Sequence, residues 1–225
     1  MGQNKKKERP KLTRHQKRAG KTREKLLRAA KSLFSERGFD AITIDEITEK
    51  ADLGKGTFYY HFGTKDQLIQ ELIRDVLGEL ENAIRHKSES SSDLYQLLDN
   101  IILAHIGFFD DRWEEFVLYF QGRSEMILDN GYEGLDTPFI SYQKNIEELI
   151  DEMIETHLPK PTLRRIACAI TGFISGFYSF SLITTPDEEI HKTLNMMRSA
   201  LVASLVRFIK EALPAVPSAV ITGKK

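Results

Sequence analysis

The chain has 225 residues, 41% hydrophobic and 29% charged, a balance that excludes a collagenous, disulfide-stapled or wholly disordered protein and leaves room for one large domain or a small one beside a medium one. No apolar stretch follows the basic start, so a cytoplasmic address without a secretory signal is expected; the one cysteine, Cys168, sits in an apolar run and is expected to be a buried packing thiol rather than a nucleophile. The formal net charge of −1 hides an asymmetry, because residues 1–31 hold thirteen Lys/Arg against two Glu and the rest holds 19 against 31, so only the basic end suits a polyanion such as nucleic acid.

Residues 1–20 carry almost no apolar side chain and read as a disordered arm, either a solvated tail or an arm that adds phosphate contacts or enters a minor groove. From Thr22 a helical period begins, with Leu26, Leu27, Ala30, Leu33 and Phe34 on one face and Gly38 as the stop. Thr43 and Glu46 form a T-x-x-E capping box with Ile42 and Ile47 at the staple positions, so a second helix is expected from Ile44 to about Ala51, where Asp52 and Gly54 favour a turn. A third, short helix is expected from Lys55 to about His61, broken by Gly63. Thr64 and Gln67 then cap a fourth that runs through Leu68, Leu72, Val76 and Leu80 to about Arg85.

Beyond the Ser-rich break from His86 to Asp93, helical periods continue over about 93–109, 111–128, 136–157, 161–184 and 186–211, and nothing alternates as a strand would. Thr185, Pro186 and Glu188 begin the last helix, along which Ile190, Leu194, Met197, Leu201, Leu205 and Phe208 recur in heptad-like steps that call for a partner helix. The fold expected is all-α: a basic arm 1–20, a three-helix head 21–66, a connecting helix 67–86, a helical body 87–213 and a flexible tail 214–225.

Two helices joined by a tight glycine-containing turn define a helix-turn-helix, whose second helix lies in the DNA major groove. At about 100° per residue, Phe58 and Phe62 share the core side of the short helix, where Ile44, Ile47 and Leu53 can meet them, while Gly56 and Tyr60 lie opposite, flanked by Thr57, Tyr59 and His61. Lys55 can reach a guanine edge or a phosphate, Gly56 lets the backbone approach the groove, Tyr59 and Tyr60 can donate to phosphates, Thr57 can touch a thymine methyl or a phosphate, and His61 offers a ring N–H. Thr43 and Lys65 stand at the starts of helices two and four, whose free N–H groups attract phosphate. The other reading is that the tyrosines only complete packing and Lys55 is a solvated charge.

Phe34 and Gly38 closing helix one, the run TIDEITEKADLGKGTFYYHFGTKDQL and a length near 225 residues together resemble the TetR family of bacterial transcriptional regulators, most specifically over residues 22–73. That resemblance implies that Thr43, Lys55, Gly56, Thr57, Tyr59, Tyr60, His61 and Lys65 contact double-stranded operator DNA. Asp52 and Leu53 depart from the small or aliphatic residues usual in that turn. It further implies a homodimer built through the last two helices (161–184 and 186–211), a ligand pocket in the body, and heads whose separation changes when ligand binds.

Fifteen of the 21 aromatic residues follow residue 90, and a bundle can enclose a cavity lined by such rings. Trp113, Phe116, Phe120, Tyr142 and Phe177 are the candidate lining for a small apolar effector, an acyl chain or a flat aromatic compound, with Arg123, His105 or Asn145 as polar anchors. The uncharged run Ile166–Pro186, with Gly172 and Gly176, contains too many hydroxyls for a lone membrane span and reads as a buried interface helix. There is no P-loop, G-x-S-x-G, H-E-x-x-H or C-x-x-C, the single E-x-x-H (Glu188, His191) lacks the second copy a di-iron bundle needs, and Asp110, Asp111, Glu114 and Glu115 read as a solvated face, so neither metal nor cofactor is expected. The function expected is a ligand-responsive repressor rather than an enzyme; the alternative is a helical enzyme or carrier for a small apolar molecule.

Overall fold

The computed structural model describes residues 13–110, 112–128, 134–184 and 187–213, and these form helices α1 (Arg14–Arg37), α2 (Ile44–Lys50), α3 (Lys55–Phe62), α4 (Lys65–Ser88), α5 (Leu94–Asp110), α6 (Trp113–Leu128), α7 (Asp136–Glu152), α8 (Lys160–Thr184) and α9 (Asp187–Ala212). Among the described residues there is no strand. The chain divides into two compact units between Leu72 and Ile73, inside α4.

The first unit is organised by Phe34, Ile42, Ile47, Phe58, Phe62, Leu68 and Ile69, all buried. Phe34 and Phe39 meet edge to face at 5.2 Å, and Phe58 and Phe62 stand 5.7 Å apart. Arg23 places its guanidinium over the Phe62 ring at 5.1 Å and pairs with Glu71, so one α1 side chain ties α3 and α4 together. Helix α1 starts eight residues before the expected Thr22. Thr13 caps it, its hydroxyl accepting from Gln16 N–H at 3.2 Å and its own N–H donating to Gln16 Oε1 at 2.8 Å. Arg14–Gly20 are therefore helical rather than part of an arm. A solvent-facing turn needs no apolar period, which is why periodicity alone missed it. The remaining arm, residues 1–12, and the tail 214–225 lie outside the described residues.

In the second unit α7 packs on α8, α9 packs on α5 and α8, and α5 also meets α6, α7 and α8. At its centre His105 takes Ile101 O at 2.7 Å through Nδ1 and Tyr142 OH through Nε2, joining α5 to α7. Tyr178 OH donates to Asp110 Oδ1 at 2.6 Å, and Arg198 pairs with Asp99, fastening α8 and α9 to α5. A Cβ on Gly122 would lie 2.8 Å from Ile73 Cδ1 and 3.2 Å from Phe139 Cε2, so this glycine lets α6 sit close against α4 and α7.

Three further expectations change. Helix α7 ends at Glu152 rather than near 157, because Met153 and Ile154 bond back three residues to Ile150 and Asp151, while the Asp151 carboxylate accepts from His157 Nδ1 at 2.9 Å. The α9 heptad seam is divided: Leu194 and Leu205 are buried within the chain with Val202 and Ile209, whereas Met197 and Phe208 are exposed. Cys168 is exposed, not buried, since it falls on the outward side of α8 between Ala167 and Ile170, which take the inward positions. Among the described residues no helix is long and apolar enough to cross a membrane. Thr185, Pro186 and the side chains of Glu188, Ile190 and His191 lie outside what is described.

Candidate nucleic-acid interface and body cavity

Helix α2 begins at a complete capping box. Glu46 N–H donates to Thr43 Oγ1 at 3.3 Å, and Glu46 Oε2 accepts from Thr43 N–H at 2.8 Å and Thr43 Oγ1 at 2.9 Å. Arg37 at the end of α1 clasps the same carboxylate at 2.5 Å and, with the Thr43 bonds, holds the Glu46 carboxyl down to about 2. Thr43 thus occupies the start of α2 with its hydroxyl already committed to the cap.

The turn into α3 is a Schellman closure. Leu53 N–H returns to Thr48 O and Asp52 N–H to Glu49 O, both at 3.0 Å, with Asp52 at φ +55° in the left-handed position that glycine usually fills. Aspartate is among the few side chains that tolerate this conformation, so the departure from the usual turn preserves the geometry. Gly54 then caps α3, its carbonyl accepting from Thr57 N–H at 2.8 Å.

Along α3 the rings separate by role. Phe58 and Phe62 are buried, while Tyr59 is 49% and Tyr60 73% exposed, and Gly56 and Lys55 also face solvent. Thr57 and His61 are half-buried at the edges of that face. Lys55 Nζ pairs with Asp45 Oδ1 at 2.7 Å, and this bond raises the lysine above its ordinary value. Burial, then the nearby Arg23 charge, lowers His61, so it presents a neutral ring. A Cβ on Gly56 would meet no atom within 4 Å; the chain itself gives no steric reason for glycine there.

Lys65 begins α4 as expected, while its ammonium donates to Phe39 O at 2.8 Å and Ile42 O at 3.0 Å, so the side chain braces the loop after α1. The pairings Lys55–Asp45 and Arg37–Glu46 have no fixed sequence spacing by which they could be found. The exposed cations Arg14, Lys17 and Lys21 on α1 were legible as charge but not as an ordered helical stripe.

The second unit holds a cavity of about 330 Å³ between α6, α7 and α8, whose apolar side is Tyr119, Phe139, Ile140 and Tyr142 and whose polar side includes Arg123, Lys144, Glu147 and Arg164. Of the five expected lining rings it contains Tyr142 alone. Phe116 is buried among Phe109, Trp113 and Tyr178, with ring centroids 5.3–5.4 Å away. Trp113 and Phe120 flank it with exposed faces, and Phe177 stacks toward Phe173 at 6.1 Å on α8. The helical wheel places these rings on a face of α6 or α8, but which face meets a cavity depends on how three helices cross. Among the expected anchors, Arg123 lines the cavity, Asn145 does not, and His105 is saturated by its two bonds and held neutral, burial bringing it down to about 4.

Residues 26–72 match the family model described as bacterial regulatory proteins, tetR family. The chain is 28% identical over 134 residues to the HTH-type transcriptional regulator YvdT of Bacillus subtilis (strain 168), covering 60% of this chain and 68% of that protein. It is also 28% identical over 134 residues to the HTH-type negative transcriptional regulator IcaR of the icaADBC biofilm operon in Staphylococcus aureus, covering 58% and 70%. A crystal structure of a tetR family transcription regulator from Shewanella sp. PV-4 superposes with a TM-score of 0.68 at 20% identity, over 83% of this chain and 97% of the other, a likeness of fold. The capped helix-turn-helix of residues 26–72 thus carries the match to the tetR family of bacterial regulatory proteins, and the all-helical chain shares its fold with a solved tetR-type regulator.

Proposed function

We propose that this regulator is a repressor that binds a palindromic operator as a homodimer through α3 and is released when a ligand fills the cavity of its second unit. The observation that carries the DNA-facing half is the division of α3: Phe58 and Phe62 buried, Tyr59 and Tyr60 outward beside Lys55 and an unfilled Gly56. Tyrosine hydroxyls and a lysine on one face of a recognition helix suit phosphates and guanine edges, and a missing side chain suits close approach of the backbone. Thr43, Thr57, His61 and the start of α4 at Lys65 extend that contact surface.

Dimerisation through α8 and α9 is supported by Phe180, Met196, Met197 and Phe208, all exposed, and by Gly172 and Gly176, beside which no atom of the chain lies within 4 Å of a would-be Cβ. Two heads held about 34–36 Å apart would meet successive major grooves. The cavity supplies the ligand-responsive half, and a ligand acts through its differential affinity for dimers that fit the operator and dimers that do not.

The test begins with duplexes enriched from a random pool by the purified protein. Lys55→Ala with Tyr59→Ala is expected to weaken binding to them by about tenfold or more, on the scale of one base or phosphate hydrogen bond removed from each of two heads. Retained affinity in this double variant sinks the DNA-facing assignment and favours the helical carrier or enzyme. Sedimentation that reports a monomer at the concentrations where DNA is bound removes the palindromic dimer.

A further inference from the structure

We propose that the cavity of the second unit takes an anionic amphiphile, its single carboxylate held by Arg123 and its apolar body laid against Tyr119, Phe139 and Tyr142. This rests on the ligand-responsive reading above and names the ligand's chemistry. Residues 73–225 carry 15 Lys/Arg against 23 Asp/Glu, yet the cavity lining reverses that sign, with Arg123, Lys144 and Arg164 against Glu147 alone. Glu147 is already answered by Arg164 at 3.2 Å. Arg123, half-buried, has only neutral partners among the described residues: its Nη1 donates to Ser175 Oγ at 2.8 Å and to Thr171 O at 3.4 Å. A guanidinium has five donors in a planar fork that matches a carboxylate, so this cation retains its capacity for an anion while its aliphatic stem lies in the wall.

Two carboxylates lie nearby, Glu147 answered by Arg164 and Glu81 close enough to act on Tyr142, but neither is a hydrogen-bond or ion-pair partner of Arg123 among the described residues. Ser175 Oγ also reaches Tyr119 OH at 3.4 Å, Tyr119 bonds Tyr142, and Tyr142 OH donates to His105 Nε2, whose Nδ1–H is taken by Ile101 O. The chain of hydroxyls runs from the cation into the core and ends on a neutral imidazole. It orients both tyrosine rings as an apolar floor and offers no carboxylate to Arg123. A ligand with a positive head would meet Arg123 and Lys144, the two lining cations not paired with Glu147; an uncharged one would leave the guanidinium without an anion and half-desolvated.

Cys168 lies at the rim of this cavity and is the chain's one cysteine, which makes its alkylation a local reporter. The probes are dodecanoate, dodecan-1-ol and dodecylammonium, each below its micelle concentration, with iodoacetamide labelling followed by intact mass. Dodecanoate is expected to slow Cys168 labelling at concentrations about tenfold or more below those dodecanol requires, the scale of a charge-assisted hydrogen bond, and dodecylammonium to give no protection. Arg123→Gln should bring dodecanoate down to the dodecanol level while dodecanol protection is unchanged, which certifies the fold, and Arg123→Lys should retain most of the preference. Equal protection by dodecanol and dodecanoate, full dodecanoate protection in Arg123→Gln, or no protection by any probe overturns the assignment. DNA retention is read on the same samples: protection without release supports this site and removes the regulatory reading, whereas equal protection and release by dodecanol and dodecanoate overturns the anion and leaves that reading in place.

Discussion

Alanine at Gly56, inside α3, and at Gly63, just past its end, should change stability in opposite directions, and alanine at Gly56 should also cost DNA binding. At Gly56 the backbone is ordinary helix and a new Cβ meets nothing within 4 Å, so Gly56→Ala removes only the entropic cost of glycine, a gain of about 0.5–1 kcal/mol. Gly63 stands at φ +63° and ψ −56°, with Thr64 N–H returning to Phe62 O at 2.5 Å, the geometry of a γ-turn that only glycine enters freely. A Cβ there costs about 1–2 kcal/mol for handedness alone. It would also lie 2.6 Å from Gln67 Oε1, the far end of a flexible side chain that can move aside cheaply, so backbone strain is the larger effect. Urea midpoints at constant m-value measure both changes, and adding Gln67→Ala to Gly63→Ala should recover little of the loss. On the enriched duplex, an added methyl at Gly56 faces a packed groove in each of two heads, at about 1–3 kcal/mol per head, so affinity should fall by about thirtyfold or more although the protein is more stable. An affinity that holds or rises with stability in Gly56→Ala would refute the reasoning that the glycine serves the DNA rather than the fold.

Asp52→Gly relieves a left-handed aspartate at φ +55° and should stabilise the protein by about 1 kcal/mol in the same urea assay; a loss would show that the aspartate contributes more than the closure needs. His105 has a folded pKa of about 4, below its unfolded value, so the unfolded chain takes up the proton first. Stability from this group is complete above about pH 6.5 and falls, by about 3 kcal/mol in all, as pH drops toward 4; His105→Gln should flatten that limb of a stability–pH profile. Replacing Arg14, Lys17 and Lys21 together with Gln should lower the log–log salt slope of DNA binding by about 0.9 for each phosphate no longer neutralised, and an unchanged slope would remove the start of α1 from the interface.

Most of the head was legible because its signals are local. A Thr three residues before a Glu, an apolar step of three or four, and a glycine after the last turn each act within about one helical turn, so Ile44 and Lys55 appear as helix starts from neighbours alone. Where local signals were weak the expectation slipped. The first turns of α1 face water and carry no apolar period, and the end of α7 tightens at Met153 and Ile154 with no glycine there to mark it. The body was legible only as helices. The outward placement of Cys168, the division of the α9 seam between the chain's own core and solvent, and the absence of Trp113, Phe116, Phe120 and Phe177 from the cavity follow from how α5 to α9 cross.

By itself the sequence determined the order and approximate bounds of the helices, the split of α3 into a phenylalanine side and a tyrosine side, and the kinship of residues 26–72 with tetR regulators. Tertiary structure alone decided which charged groups are already answered, Lys65 by two carbonyls more than twenty residues back and Lys55 by Asp45, and which is not, Arg123 meeting only neutral oxygens of α8 about fifty residues on. The reason is range. Backbone hydrogen bonds and caps are made within a few residues and leave a periodic trace, whereas ion pairs and cavities form between segments whose separation along the chain carries no rule, so they exist only once the helices have packed.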